Sequence, residues 1–429
     1  MARRREFGGE VLTFEVGRGA AAIGEALWRR HEDDDDFVEA FPPPKHDPMR
    51  GKDGLPRSLI FDARQPEPFK TRLAVDVGLA TFSQDTTTRA MEASYAEAKA
   101  IRRRGVAVPA PFFAGTENVF GFNFYADGLR EGGVLGTTWW DATEDLLRRQ
   151  LETCDAPRGA LFLVDASAGG FAGVAGTLLT DVEDELGRNA VKAVYYCPDD
   201  ASYGGDDSND RDGEPSTTTT KKSTLRDFAS AFAFRHLHEP AQAIVPIDPR
   251  PDAVAEAIDL TTLPFRRING RVGLREWRDS VAGDDPTKKL ASLLLAEEAT
   301  SSLAAAAGDH TATFLPLFSP WKANSETSPF TPSEEQVVAV YPSAAACVPA
   351  DERCAVPFLR TLAAKFHTRG SLNARRAAAH FGLQLDDLDE IYTELVRTAG
   401  FYINRSSAYS FPEDDDDDDE PPDDAELFE

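Results

Sequence analysis

ALFLVDASAGGFAGVAGTLL, residues 160–179, is the stretch on which the reading of the fold turns. Ala160–Val164 is a continuous apolar run, the pattern of a strand buried on both faces. Gly169, Gly170, Gly173 and Gly176 follow it closely. Val174, Leu178, Val182 and Leu186 then recur every fourth residue and mark one face of a helix, with Asp181–Glu185 on the other. Val191–Tyr196 is the next apolar run. Strand, glycine-rich turn, helix and strand in this order make a unit of a parallel sheet.

The same logic extends outward. Val11–Val16 reads as a strand, Gly17 as a turn, and the Ala/Ile-rich stretch to Arg30 as a helix. Ser58–Phe61, Ala243–Ile247, Thr311–Leu315 and Val337–Tyr341 read as further strands. Ser223–His236 and Pro251–Ile258 read as helices. Asp386–Gly400 reads as another, with Leu388, Tyr392 and Leu395 in register and Gly400 as its stop. Pro286–Ala306 reads as the longest helix, with Leu290, Leu293, Leu294 and Leu303 on its apolar side. Cys197–Lys222 is too polar to bury a face and reads as a disordered insertion.

Composition sets the bounds. The chain has 429 residues, enough for two to three packed units at ~100–200 residues each. With 41% hydrophobic and 10% aromatic residues it can build a core. No run approaches the ~18 apolar residues of a membrane span. MARRREFGGEVLTFEV offers no apolar core before Val11, which excludes a secretory signal, and Glu6, Glu10 and Glu15 argue against a mitochondrial presequence. Cys154, Cys197, Cys347 and Cys354 form no CxxC pair and no disulfide framework, which points to a reducing compartment. The formal charge is −27; residues 411–429 hold twelve acids and no base, and the remainder is still strongly acidic. Nucleic-acid binding through phosphates needs clustered Lys and Arg, so no nucleic-acid partner is expected.

A glycine-rich turn between a buried strand and a helix can accept a phosphate on bare backbone amides and the helix N-terminus. Ser167–Leu179 sits in that position but matches neither GxGxxG nor GxxxxGK[ST]. On pattern alone, close helix–sheet packing is the favoured account of such glycines. His236-Leu237-His238 lacks a third ligand at recognisable spacing and reads as two histidines at a helix end. Cys347 and Cys354, flanked by prolines, read as ordinary thiols. No GxSxG, HExxH or kinase set occurs, so no catalytic residue and no metal ligand is assigned. Trp139-Trp140 reads as one core ring and one half-buried ring at a helix start, with a partner anchor as the alternative.

The order of motifs adds a resemblance. VLTFEVGRGAAAIGEALW (Val11–Trp28), PRSLIFDAR (Pro56–Arg64) and the glycine turn ending GTLL form a series that resembles the tubulin superfamily. The tubulin pattern GQCGNQIGAKFW lies over Gly17–Trp28, and GGGTGSGMGTLL over Ala168–Leu179. The chain is more similar to the Misato family, the divergent tubulin-like proteins. EVLTFEVG (Glu10–Gly17), Glu152–Asp155, DASAGGFAGVAG (Asp165–Gly176) and TLPF (Thr262–Phe265) carry that likeness, which extends from Glu10 to about Phe265.

The resemblance implies a tubulin-like α/β fold: a parallel Rossmann-type sheet with flanking helices, a second α/β domain and a disordered acidic tail. The expected divisions are 1–115, 116–285 with the insertion at 197–222, 286–412, and the tail 413–429. Gly169, Gly170, Gly173 and Gly176 would be a vestigial phosphate loop, with Gly17 and Gly24 surviving from the first nucleotide loop. The polar positions have gone: Arg18, Ala21 and Ala22 stand where tubulins have Gln, Asn and Gln, and Phe171 where they have Thr. Ala172, Gly173 and Val174 replace Gly, Ser and Gly. The base-stacking Tyr position is Phe228, and the base-reading Asn position is Ala229. No water-activating Asn-plus-acid pattern stands around Ile268–Trp277. The implied protein is therefore non-catalytic and needs no cofactor, with GTP binding or hydrolysis as the alternative. Its implied role is in mitochondrial distribution, morphology and inheritance, in the cytoplasm with peripheral attachment to mitochondria. Its partners would be mitochondrial outer-membrane or cytoskeletal proteins. A microtubule- or spindle-associated factor is the further alternative, although an acidic surface repels an acidic lattice.

Overall fold

A computed structural model describes residues 9–33, 47–51, 56–63, 74–76, 102–108, 125–166, 169–198, 229–247, 251–267, 273–282, 285–296, 314–316, 345–350, 352–366 and 384–403. The expected strand at Val337–Tyr341, the insertion beyond Pro198 and the acidic tail lie outside them. The chain divides into two compact units, 1–350 and 351–429.

The larger unit is built on β1 (Glu10–Val16), β2 (Ser58–Ala63), β3 (Ala74–Asp76), β4 (Arg102–Val108), β5 (Pro157–Asp165), β6 (Val191–Cys197) and β7 (Ala243–Pro246). Their order across the sheet is β3-β4-β2-β1-β5-β6-β7, and every pairing is parallel. Parallel strands in mid-sheet are covered on both faces, which is why β1, β5 and β6 are mostly apolar and are buried nearly end to end, the buried Glu15 of β1 and Lys192 of β6 being held by polar partners. The helices of this unit are α1 (Arg18–Asp33), α2 (Thr137–Glu152), α3 (Gly169–Leu186), one over residues 229–238, α4 (Pro251–Arg267) and α5 (Leu274–Ala282).

One face of the sheet shares a core with α1, α4 and α5. Val11, Leu161, Leu163, Ala193, Tyr195 and Val245 meet Ile23, Trp28, Val254, Ile258 and Trp277 there. Trp277 donates its indole N–H to the Thr261 carbonyl at 3.0 Å, so its polar atom is satisfied inside the core. On the opposite face Phe14 stacks on Phe162 across β1 and β5 (4.4 Å between centroids), and Phe61 of β2 meets Trp139 of α2 at 6.1 Å. Trp139 and Trp140 are both buried, each 2% exposed, and pack edge to face at 4.8 Å. Neither ring is the half-buried one expected, and neither is presented to a partner: α2 is covered on both of the flanks that carry them.

Pro286–Ala306 is not a helix where the structure describes it. Ala291–Ala296 forms strand β8, paired antiparallel with β9 (Phe314–Pro316) and β10 (Ala345–Pro349). A short, mostly apolar stretch such as ASLLLA satisfies either period, and pairing with two neighbours selected the strand. Ala291 and Leu293 of β8 and Cys347 of β10 enter the same core as α4 and α5. The backbone N–H of Ile244 in β7 donates to the carbonyl of Lys289 just before β8 (2.7 Å). The small sheet thus continues the core of the large one across the division expected at 285/286.

The second unit contains α6 (Glu352–Ala364) and α7 (Leu385–Gly400) packed on each other. Leu359, Phe366, Leu388 and Leu395 are buried, in agreement with the helical register expected for α7, and Tyr392 lies at the edge of that stripe. The side chain of Asp387 accepts the N–H of Gln384 (2.7 Å) and closes the first turn of α7. Among the described residues, no helix is long and apolar enough to cross a membrane.

Candidate functional site

In an open parallel sheet, ligands bind outside the carboxyl ends of the strands, where neighbouring connections diverge to opposite sides. Here that point lies between β1 and β5. From β1 the chain proceeds to β2, and from β5 to β6, on opposite sides of the sheet. The helices α1 and α3 begin at this point, so the two glycine segments singled out in the sequence do converge on one crevice.

Gly17 joins β1 to α1 with φ +98°, a left-handed conformation that glycine adopts without strain. A Cβ there would lie 2.7 Å from Cβ of Asp165 and 3.3 Å from Cδ2 of Phe171. Asp165 is the last residue of β5, and its carboxylate accepts the backbone N–H of Gly19 at 2.6 Å. A carboxylate supplied by a neighbouring strand therefore caps α1. It occupies the place where an anionic ligand would meet the first free amides and the positive end of the helix dipole. Phe171 is buried against the same turn.

The α3 glycines sit differently from the expected turn. Gly169 and Gly170, read in the sequence as part of a turn, already lie within the helix. A 3-10 turn, Tyr125–Gly128, is pressed into the small-residue face of α3. A Cβ on Gly173 would fall 2.0 Å from the Tyr125 carbonyl oxygen and 3.0 Å from Cα of Gly128. A Cβ on Gly176 would fall 2.1 Å from the Tyr125 hydroxyl, and one on Gly128 would fall 1.8 Å from the Gly170 carbonyl oxygen. Gly170, Gly173 and Gly176 are thus a packing groove filled by the chain itself. On the far side Tyr125 stacks on His236 (4.5 Å, 17° between planes), and Phe232 meets the same imidazole at 4.4 Å.

Gly24 does not join the crevice. It faces Glu15, a carboxylate on the central strand with none of its surface exposed. A Cβ at Gly24 would lie 2.1 Å from Cδ of Glu15. That carboxylate accepts the Trp28 indole N–H (2.8 Å) and the Ser58 hydroxyl. Nearby, His31 and Asp259 pair at 2.9 Å between α1 and α4, with both side chains buried. The motif Gly17…Gly24…Trp28 therefore holds together two structures, the turn at the crevice and a buried carboxylate network under α1. Sequence spacing distinguished neither from a nucleotide loop.

Of the positions compared with tubulin ligands, Ala21, Ala172, Val174 and Ala229 are buried packing residues. The side chains of Arg18 and Phe228 lie outside the described residues. Burial pulls the imidazoles of His236 and His238 down to about 4, with Arg235 and Lys289 acting in the same direction, so both are neutral near pH 7. Among the described residues no group of three His, Cys, Asp or Glu is placed to hold a metal ion. Cys347 is fully buried and its thiol is pushed well up by that burial, as befits an ordinary core thiol. The Asp165–Gly19 contact is the feature sequence reasoning missed. It joins residues 146 positions apart, and nothing local marks it.

The donor set at the crevice does not suit a nucleotide phosphate. One α1 amide is already bonded to a carboxylate, the turn is lined by Phe171, and the α3 glycines are covered by Tyr125–Gly128. A phosphate brought to Gly19 would meet a like charge at hydrogen-bonding range. No family model matches the chain, and no curated protein matches it.

Proposed function

We propose that this chain is a tubulin-like protein of the Misato type whose nucleotide site has been given up. It acts without catalysis, through protein surfaces, in the distribution, morphology and inheritance of mitochondria. The observation that supports the non-catalytic half is the Asp165 carboxylate on the Gly19 amide. An internal acid that satisfies the helix end stabilises the frame and disfavours a second anion at the same spot. The motif order from Glu10 to Phe265 supports the family half and, with it, the second α/β domain and the cytoplasmic, mitochondrion-associated location. Attachment to mitochondria is through partner proteins, since no basic amphipathic segment for direct lipid binding was read in the sequence.

The test is depletion of the protein in its own cell, with imaging of mitochondria and spindles, followed by re-expression. Clustered or fragmented mitochondria, restored by the wild-type chain, are the expected result. Normal mitochondria with disordered spindles would replace this reading with the microtubule alternative.

A further inference from the structure

We draw no further inference here: the strongest candidate, the buried Arg57 guanidinium beside Cys154 at the amino-terminal edge of β1 and β2, whose Nε and Nη1 have no hydrogen-bond partner, already has its charge paired with Glu10, lies against a thiol that burial pushes up rather than activates, and has nothing around it that points to a ligand.

Discussion

Gly173→Ala is expected to destabilise the larger unit by about 2 kcal/mol. The added methyl would lie 2.0 Å from the Tyr125 carbonyl oxygen, and backbone on the other side cannot swing away as a side-chain tip can. Either α3 shifts off β5 or the turn Tyr125–Gly128 lifts, taking the Tyr125–His236 stack with it. Overpacking of this kind costs roughly 1–3 kcal/mol and occasionally more. The better helix propensity of alanine returns at most ~1 kcal/mol. Urea unfolding of the full chain measures the difference. A change below about 0.5 kcal/mol would mean that the groove is not filled as described and that the glycine serves something other than packing.

Gly24→Ala is the second large effect, at about 2–3 kcal/mol. Here the obstacle is the carboxylate of Glu15, itself held by Trp28 and Ser58 in a fully buried position. Moving it breaks its buried hydrogen bonds, and a buried polar group left unsatisfied costs ~1–3 kcal/mol. The signature is coupling. In a Glu15→Ala background the same glycine substitution should cost little, because the space it needs has been vacated, and the double-mutant cycle should give an interaction of at least ~1 kcal/mol. Additive effects would contradict the assigned contact.

Both predictions treat the glycines as packing residues, and that is where sequence reading and structure part. The frame was legible because burial on both faces leaves continuous apolar runs. Val11–Val16, Ala160–Val164 and Val191–Tyr196 became β1, β5 and β6, and the four-residue spacing of Val174, Leu178 and Val182 became the buried face of α3. Strand β4 was not legible: RRRGVAV opens on three arginines and carries a glycine, so it does not look like a strand until β2 and β3 pair with it. Pro357 hid α6, because an interior proline usually marks a helix end. The alanine-rich flank of β8 suggested a helix that pairing overruled. The site was legible as a place and not as chemistry. Gly17 and the first turn of α3 lie beside each other through Asp165 and Phe171. Asp165 and the turn Tyr125–Gly128 reach the site from far along the chain, and no local pattern announces them.

The central claim is that the crevice between β1 and β5 is closed by Asp165, Phe171 and the turn Tyr125–Gly128 rather than built for a phosphate. The N-terminus of a helix alone is worth ~0.3–1 kcal/mol towards an anion. A micromolar ligand requires ~8 kcal/mol. Isothermal titration of the full-length chain with GTP and Mg²⁺ measures this directly. Binding no tighter than millimolar is predicted; a dissociation constant in the micromolar range or below would contradict the account and favour a GTP-binding protein.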